Sequence, residues 1–215
     1  MNPFVAGYRK FRNEVFPKNA ARYQALAKTQ APKTLFITCA DSRVMPSTIT
    51  QTEPGELFQC RVVGNLIPAH GNPPGGVTSA IEYAVMVLNV ENIVVCGHSD
   101  CGAMRAFLHP EKMAGLKSVA SWIEHADSAI AMAKEQHAHL EGDEFLAALT
   151  KENVISQIQH LRTHPFVATR IRKGTLRIFG WYYDIPSGTI DQYDPVLESF
   201  LPLDHTVSEP VEEAV

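Results

Sequence analysis

Short apolar runs and amphipathic segments follow one another along the first half of the chain. Three runs rich in β-branched residues predict buried strands at Lys33–Cys39, Glu56–Asn65 and Asn92–Gly102. Between the second and third of these, apolar residues at helical spacing predict a helix over Val77–Val90. Strands that are apolar throughout need cover on both faces, so this order predicts an α/β fold with a mostly parallel sheet.

The second half of the chain reads as helices followed by a hairpin. A helical pattern runs from Ser118 to about His164, with a break expected at Gly142-Asp143 and a stop at Pro165. Two apolar segments, "GTLRIFGWYYDI" and "GTIDQYDP", then flank a turn signal at 186–188 and predict a β-hairpin. We therefore expect a sheet of four to five strands with an antiparallel edge strand, covered by helices.

The two ends of the chain differ from the middle. Residues 1–31 predict an amphipathic helical arm, interrupted near Pro17, whose apolar face the small sheet does not need. We expect the arm to pack on a neighbouring subunit, giving a homodimer or a homotetramer. The acidic, proline-punctuated segment 204–215 predicts a flexible tail. With no repeat or linker in between, 1–215 reads as a single domain.

Composition narrows the class of protein. A net charge of -4 and a pI near 6.1 give no electrostatic reason for nucleic-acid or membrane binding. The N-terminus lacks a secretory core and no apolar run approaches about 20 residues, so we expect a cytoplasmic protein. Cysteines there are more often ligands or nucleophiles than disulfide partners. None of the four forms a CxxC pair, which excludes zinc ribbons and thioredoxin-like motifs.

Two of the predicted strands end in residues that bind metals. Cys39 stands at the end of the first strand and His98 just after the end of the third, whose run closes in a glycine turn, and Cys101 follows across that turn. Taken alone, each of these three residues is equally compatible with core packing or with no functional role. Ligands bind beyond the carboxyl ends of parallel strands, so these three side chains predict one zinc site with an open fourth position. Cys60 and Cys96 lie inside strands and read as small buried residues.

An aspartate and an arginine follow Cys39 at alternate positions. On an extended segment Asp41 lies on the same side as Cys39, and Arg43 on the same side again. Asp41 could either ligate the zinc or accept a hydrogen bond from a zinc-bound water, with Arg43 clamping the carboxylate through two bonds. The simpler alternative is an exposed ion pair, worth at most about 1 kcal/mol.

The motifs together resemble a known family. "CADSRV" followed by "GHSDCGAM", with "EPGELF", "GNLIP", "GGVTSAIEYAV" and "FGWYYDIPSG", is similar to the β-class carbonic anhydrases, in their plant-type and bacterial subgroup. The resemblance implies Zn²⁺ held by Cys39, His98 and Cys101, and reversible hydration of carbon dioxide to bicarbonate and a proton. It also implies that a zinc-bound hydroxide is oriented by the Asp41–Arg43 pair, and that Asp41 becomes a zinc ligand only in a closed form.

The resemblance further implies a substrate pocket. By position its residues are Gln30, Phe58, Val63, Tyr83 and Gly102. In plant-type relatives some of these, such as Gln30 and Tyr83, come from the adjoining subunit. Core packing explains Phe58, Val63 and Tyr83 equally simply.

A bicarbonate-inhibited subgroup uses a tryptophan, an arginine and a tyrosine in a regulatory pocket. This chain has Phe36, Arg61 and Tyr183 at the matching places, and phenylalanine lacks the indole donor, which favours the constitutively open subgroup. Two rival functions stay open. One is the same zinc centre acting on carbon disulfide or carbonyl sulfide, and the other is a non-catalytic zinc scaffold.

Overall fold

The computed structural model describes residues 2–203, so the predicted tail at 204–215 lies outside the described residues. The α-helices are α1 (Pro3–Lys10), α2 (Ala20–Leu26), α3 (Pro46–Thr50), α4 (Gly76–Glu82), α5 (Gly102–Leu108), α6 (Lys117–Ile123), α7 (Asp127–Gln136), α8 (Gly142–Thr163) and α9 (Pro165–Arg172). The strands are β1 (Thr34–Thr38), β2 (Leu57–Arg61), β3 (Asn92–His98), β4 (Arg177–Tyr183), β5 (Ile190–Asp194) and β6 (Ser199–Pro202). Short 3₁₀ or π segments lie at Phe11–Val15, Phe16–Asn19, Val63–Asn65, Tyr83–Val87, Pro110–Met113 and Glu124–Ala126.

The strands form one sheet in the order β2-β1-β3-β4-β5-β6. The first four are parallel, and β5 and β6 add antiparallel pairs at one side. The predicted α/β fold, with a mostly parallel sheet, an antiparallel edge and N-terminal helices, is confirmed. The sheet has six strands where four to five were expected. The extra strand is β6, whose two apolar residues, Phe200 and Leu201, are too few to signal a strand alone.

One face of the sheet packs on α4, α8 and α9. Alternate residues of β1 and β3 are fully buried on this side, and these are Leu35, Ile37, Ile93 and Val95. The long helix α8 packs directly against two glycines of the sheet. These are Gly97 and Gly180, where an added Cβ would lie less than 3 Å from a methyl carbon of Val154.

The opposite face of the sheet carries a smaller cluster. Phe36, Val94 and Cys96 are buried there, with the aromatic side chains of β4 against them. A cavity of about 340 Å³ opens beside this cluster. Burial raises the pKa of the Cys96 thiol to about 12 and also raises that of half-buried Cys60, as expected for packed rather than reactive cysteines.

The helical region from Ser118 continues past the predicted stop. α8 ends at Thr163 as expected, but Pro165 then begins α9 instead of closing the region. His164 between them is extended, with φ -75° and ψ 121°, which is the conformation that a following proline favours. Proline also suits the first turn of a helix, because its missing N–H has no partner there.

The N-terminal arm lies largely in solvent in the single chain. Its regular helix breaks at a 3₁₀ segment containing Pro17, as predicted. Phe4 is 83% exposed and Tyr8 62% exposed, so the apolar face of α1 has little cover from its own chain. Among the helices that the structure describes, none combines the length and the apolar character needed to cross a bilayer.

Candidate metal centre

Three metal-binding side chains meet at the carboxyl edge of the sheet. Cys39 directly follows β1, His98 is the last residue of β3, and Cys101 precedes the first residue of α5. Their two sulfurs and one imidazole nitrogen all lie within 4.8 Å of one another, and all three residues are buried. β1 and β3 are parallel neighbours, so their ends bring residues 59 positions apart to one place (98 - 39).

The His98 ring is oriented for metal binding. Its Nδ1 lies 2.8 Å from the Ser99 carbonyl oxygen, and because that oxygen only accepts, Nδ1 must carry a hydrogen. Nε2 is then free to offer its lone pair. It is buried and has no hydrogen-bond partner among the residues that the structure describes. An orphaned buried nitrogen is costly unless a ligand satisfies it, and a metal ion is the ligand that this orientation suits.

Ser99 connects the site to the distant hairpin. Its N–H donates to the Tyr183 carbonyl oxygen at 2.9 Å, and its Oγ accepts from the Ile185 N–H at 2.9 Å. The residue whose carbonyl orients His98 is therefore fixed by the end of β4 and by the turn that follows it. Nothing in the "HSDC" motif assigns this role to the serine, and the sequence prediction missed it.

At neutral pH the two cysteines hold only one proton between them, on Cys101. Hydrogen bonding from Cys101, with a smaller contribution from the Gly64 N–H, outweighs the effect of burial and lowers the pKa of Cys39 to about 4. The pKa of Cys101 is raised because it faces the Cys39 thiolate and is buried. Without a cation the pair shares one proton. A divalent ion would replace it, and two thiolates with one imidazole are a donor set that Zn²⁺ prefers.

Asp41 and Arg43 form the paired contact that their spacing suggested. Asp41 Oδ1 accepts from the backbone N–H of Arg43 at 2.9 Å and from its Nε at 3.0 Å, and Oδ2 accepts from Nη2 at 2.8 Å. The guanidinium holds the pKa of the Asp41 carboxyl well below its usual value, so Asp41 is ionised at neutral pH. Asp41 Oδ2 lies 3.9 Å from His98 Nε2, beside the ligand atoms.

Two further residues fix this pair. Asp100 accepts from Arg43 Nη1 at 3.0 Å through its side chain, and from Nη2 at 3.1 Å through its backbone carbonyl. Arg61 Nη2 donates to the Asp41 carbonyl oxygen at 2.6 Å. The sequence prediction gave Asp100 no role and placed Arg61 in a regulatory pocket. In the structure the Arg61 guanidinium contacts the backbone that carries Asp41.

The five predicted pocket residues are only partly brought together. The Phe58 and Tyr83 rings lie 5.9 Å apart between centroids, and Tyr83 is 44% exposed. Val63, 40% exposed, begins the turn whose Gly64 N–H reaches Cys39, and Gly102 begins α5 at the site. Gln30 is exposed between α2 and β1. None of the five lines the roughly 340 Å³ cavity on the opposite sheet face.

Comparison with known proteins identifies the family. The family model described as carbonic anhydrase matches residues 34–190. A carbonic anhydrase of Pseudomonas aeruginosa is 47% identical over 203 residues, covering 94% of this chain and 92% of the relative. The chain belongs to the β-class carbonic anhydrases. Carbonic anhydrase 1 of Escherichia coli O157:H7 is 44% identical, with the same coverage of each chain.

Solved β-class carbonic anhydrases share the fold of this one. The β-carbonic anhydrase CcaA superposes with a TM-score of 0.91 at 37% identity, over 94% of this chain and 91% of that one. One of two tetrameric β-carbonic anhydrases from Sordaria macrospora gives a TM-score of 0.72 at 30% identity, over 89% and 92%. The resemblance read from the motifs is confirmed, and with it the prediction that this carbonic anhydrase is an enzyme of carbon dioxide hydration.

Proposed function

We propose that this carbonic anhydrase holds Zn²⁺ between Cys39, His98 and Cys101 and interconverts carbon dioxide and bicarbonate at the open fourth position. The observation that carries the proposal is the unpartnered, buried Nε2 of His98, close to two sulfurs and to an ionised carboxylate. When bound there, zinc supplies a Lewis acid that makes water a nucleophile near neutral pH. Carbon dioxide and water then give bicarbonate and a proton.

Asp41 orients the attacking water. Because its pKa is held well below the usual value, Asp41 does not act as a base at neutral pH. Its Oδ2, beside the ligand atoms, would instead accept a hydrogen bond from the attacking water and so aim a lone pair of the water oxygen at the carbon of the substrate. Arg43 donates to both carboxylate oxygens and so fixes the direction of that acceptor.

The same contacts favour an open site. With Oδ2 only 3.9 Å from Nε2 of His98, a small rotation of Asp41 would let it ligate the metal, which is the closed form. Arg43 opposes this rotation through three bonds to Asp41 and two to Asp100. We therefore assign the chain to the constitutively open, plant-like subgroup. Phe36, which packs edge-on against Trp181, has no donor with which to build the regulatory pocket.

The proposed substrate pocket needs little more than apolar walls. Carbon dioxide has three heavy atoms, so even about 1.5 kcal/mol per atom gives a dissociation constant on the order of a millimolar. Phe58 and Tyr83 supply aromatic surface, Val63 and Gly102 border the ligands, and Gln30 is the polar guide. The exposure of Tyr83 in one chain fits a pocket completed by a neighbouring subunit.

We also propose a homodimer or homotetramer that works in the cytoplasm. The uncovered apolar residues of α1, such as Phe4 and Tyr8, call for a partner surface, and tetramers occur among the solved relatives. The small-molecule partners of the protein are carbon dioxide and bicarbonate, and the charge balance gives no electrostatic reason for a nucleic-acid or membrane partner.

Stopped-flow hydration of carbon dioxide, with zinc content measured on the same samples, tests the proposal. Wild type should carry one zinc per chain and be active, and Asp41→Ala should keep the zinc but lose roughly 100-fold in rate. Asp127→Ala, which removes an exposed acid at the start of α7, should keep both the zinc and the wild-type rate of hydration. Wild type without zinc would overturn the proposal. Zinc without a rate would favour the scaffold, and turnover of carbon disulfide or carbonyl sulfide alone would favour the rival enzyme.

A further inference from the structure

The face of α8 that packs in the core carries two polar side-chain amides among its apolar residues. Asn153 and Gln157, one turn apart, are both fully buried. Thr150, also buried, bonds within its own helix to the Leu146 carbonyl oxygen at 2.7 Å. The two amides instead bond outwards. A buried amide without a partner is costly, so the folded state needs these hydrogen bonds to residues outside α8.

The amides hold one short segment at both ends. Asn153 Nδ2 donates to the Gly64 carbonyl oxygen at 3.0 Å, and Gln157 Oε1 accepts from the Ile67 N–H at 2.7 Å. Gln157 Nε2 joins the two by donating to Asn153 Oδ1 at 2.9 Å, and it also reaches the His125 carbonyl oxygen at 3.1 Å. Each amide is thus anchored on both its donor and its acceptor side.

The segment that they hold touches the metal centre through one atom pair. The Gly64 N–H donates to Cys39 Sγ at 3.4 Å, inside the sulfur hydrogen-bond range. Gly64 has φ +69°, and an added Cβ would lie 2.9 Å from Ala103 Cβ, so the position is fixed both by conformation and by space. Asn153 holds the next peptide unit, whose carbonyl belongs to Gly64, so it acts on this N–H through the φ and ψ angles of Gly64. The peptide unit that contains the N–H is held at its Val63 carbonyl oxygen by Trp122 Nε1 at 2.9 Å.

We propose that Asn153 and Gln157 are positioning residues of the metal centre, which aim the Gly64 N–H at the Cys39 thiolate and limit the negative charge that this sulfur gives the metal. The inference rests on the proposed zinc site. Neither amide touches a ligand or substrate. A hydrogen bond to a ligating sulfur withdraws electron density from it, and such bonds tune metal–thiolate centres in general. Through these two residues α8 would adjust the Lewis acidity of the metal, although neither residue touches a ligand.

Cobalt-substituted protein provides the readout. Co²⁺ in a thiolate site shows sulfur-to-metal charge-transfer absorption, and a sulfur that loses a hydrogen bond gives up an electron more easily. Leucine is close in size to asparagine and makes no side-chain hydrogen bonds, so Asn153→Leu should shift this band to longer wavelength. Because the segment at Gly64 is then no longer held in place, zinc binding should also weaken, by roughly 10- to 100-fold in chelator competition. Gln157→Met, which leaves the Asn153–Gly64 bond in place, should shift the band less.

Leu161→Ala is the matched control. Leu161 is fully buried on the same helix but belongs to the apolar cluster and has no part in the network. It should lower the melting temperature while leaving the band where it is in wild type. A band that is unmoved in soluble Asn153→Leu overturns the inference, and so does an equal shift in Leu161→Ala. If Asn153→Leu fails to fold, an unmoved band in Gln157→Met overturns it. Wild type that binds neither metal refutes the proposed function itself.

Discussion

Gly97→Ala separates the stability of this fold from the geometry of its metal centre. Gly97 faces α8 one residue before His98, and a Cβ there would lie 2.8 Å from Val154 Cγ2 and 3.1 Å from Thr150 Cγ2. Gly180 on β4 offers a matched position. Its Cβ would lie 2.8 Å from Ile158 Cδ1 and 2.9 Å from Val154 Cγ1. Neither glycine has a positive φ, so alanine meets crowding at both sites without backbone strain.

The two substitutions should cost similar stability. Forcing an extra methyl into a packed core costs about 1–3 kcal/mol. In a chain of this length each kcal/mol lowers the melting temperature by about 2–4 °C, so each variant should melt about 2–12 °C below wild type. Melting must be compared at one protein concentration, because association of subunits would make it concentration-dependent.

Zinc binding should respond only at Gly97. Moving β3 away from α8 there displaces His98, the adjacent ligand, whereas Gly180 pairs with Val95, three residues before the ligand (98 - 95). Ligand geometry is demanding, so we expect weaker zinc binding by roughly tenfold in Gly97→Ala and wild-type binding in Gly180→Ala. Chelator competition measures both. Equal losses of zinc affinity, or no loss of stability in either variant, would refute the reasoning.

Three other predictions follow from the site and the arm. Arg43→Lys keeps the charge but loses the planar two-bond contact with Asp41, so hydration should fall by roughly tenfold or more at unchanged zinc content; an unchanged rate would contradict this orienting role. In zinc-free protein the ultraviolet absorbance of the Cys39 thiolate should persist as the pH is lowered, disappear only near its pKa of about 4, and be absent in Cys39→Ser. Loss of that absorbance already above pH 7 would count against the shared-proton pair. Light scattering should give a mass at least twice the 23.7 kDa of one chain, and a monomer at micromolar concentration would exclude the proposed use of the arm.

The positions of the metal-binding residues followed from local sequence because few geometries are available to them. Cys39 and His98 close apolar runs, and parallel strands bring such ends to one edge of the sheet. Alternation along an extended segment similarly placed Asp41 and Arg43 on one side. These inferences used only periodicity and the topology of a parallel sheet, and both are fixed before the details of packing are known.

The missed features depend on contacts between distant parts of the chain. β6 forms because the edge of β5 is available for pairing. α9 begins at Pro165, which the sequence analysis had read as the end of the helical region. Asn153 and Gln157 look like solvent-facing positions of a polar helix until packing shows them buried. Likewise, no local pattern could tell that Ser99, inside a recognised motif, is fixed by the turn after β4.

The link from Ser99 to residues 183 and 185 has a consequence for synthesis of the protein. All three metal-binding side chains have left the ribosome once Cys101 has emerged, yet the carbonyl that orients the imidazole still lacks its anchors. Those anchors are made more than 80 residues later. In the proposed site a nascent chain therefore completes the geometry around His98 only after residue 185 has been made, so we expect loading with metal to be a late step in the maturation of the chain.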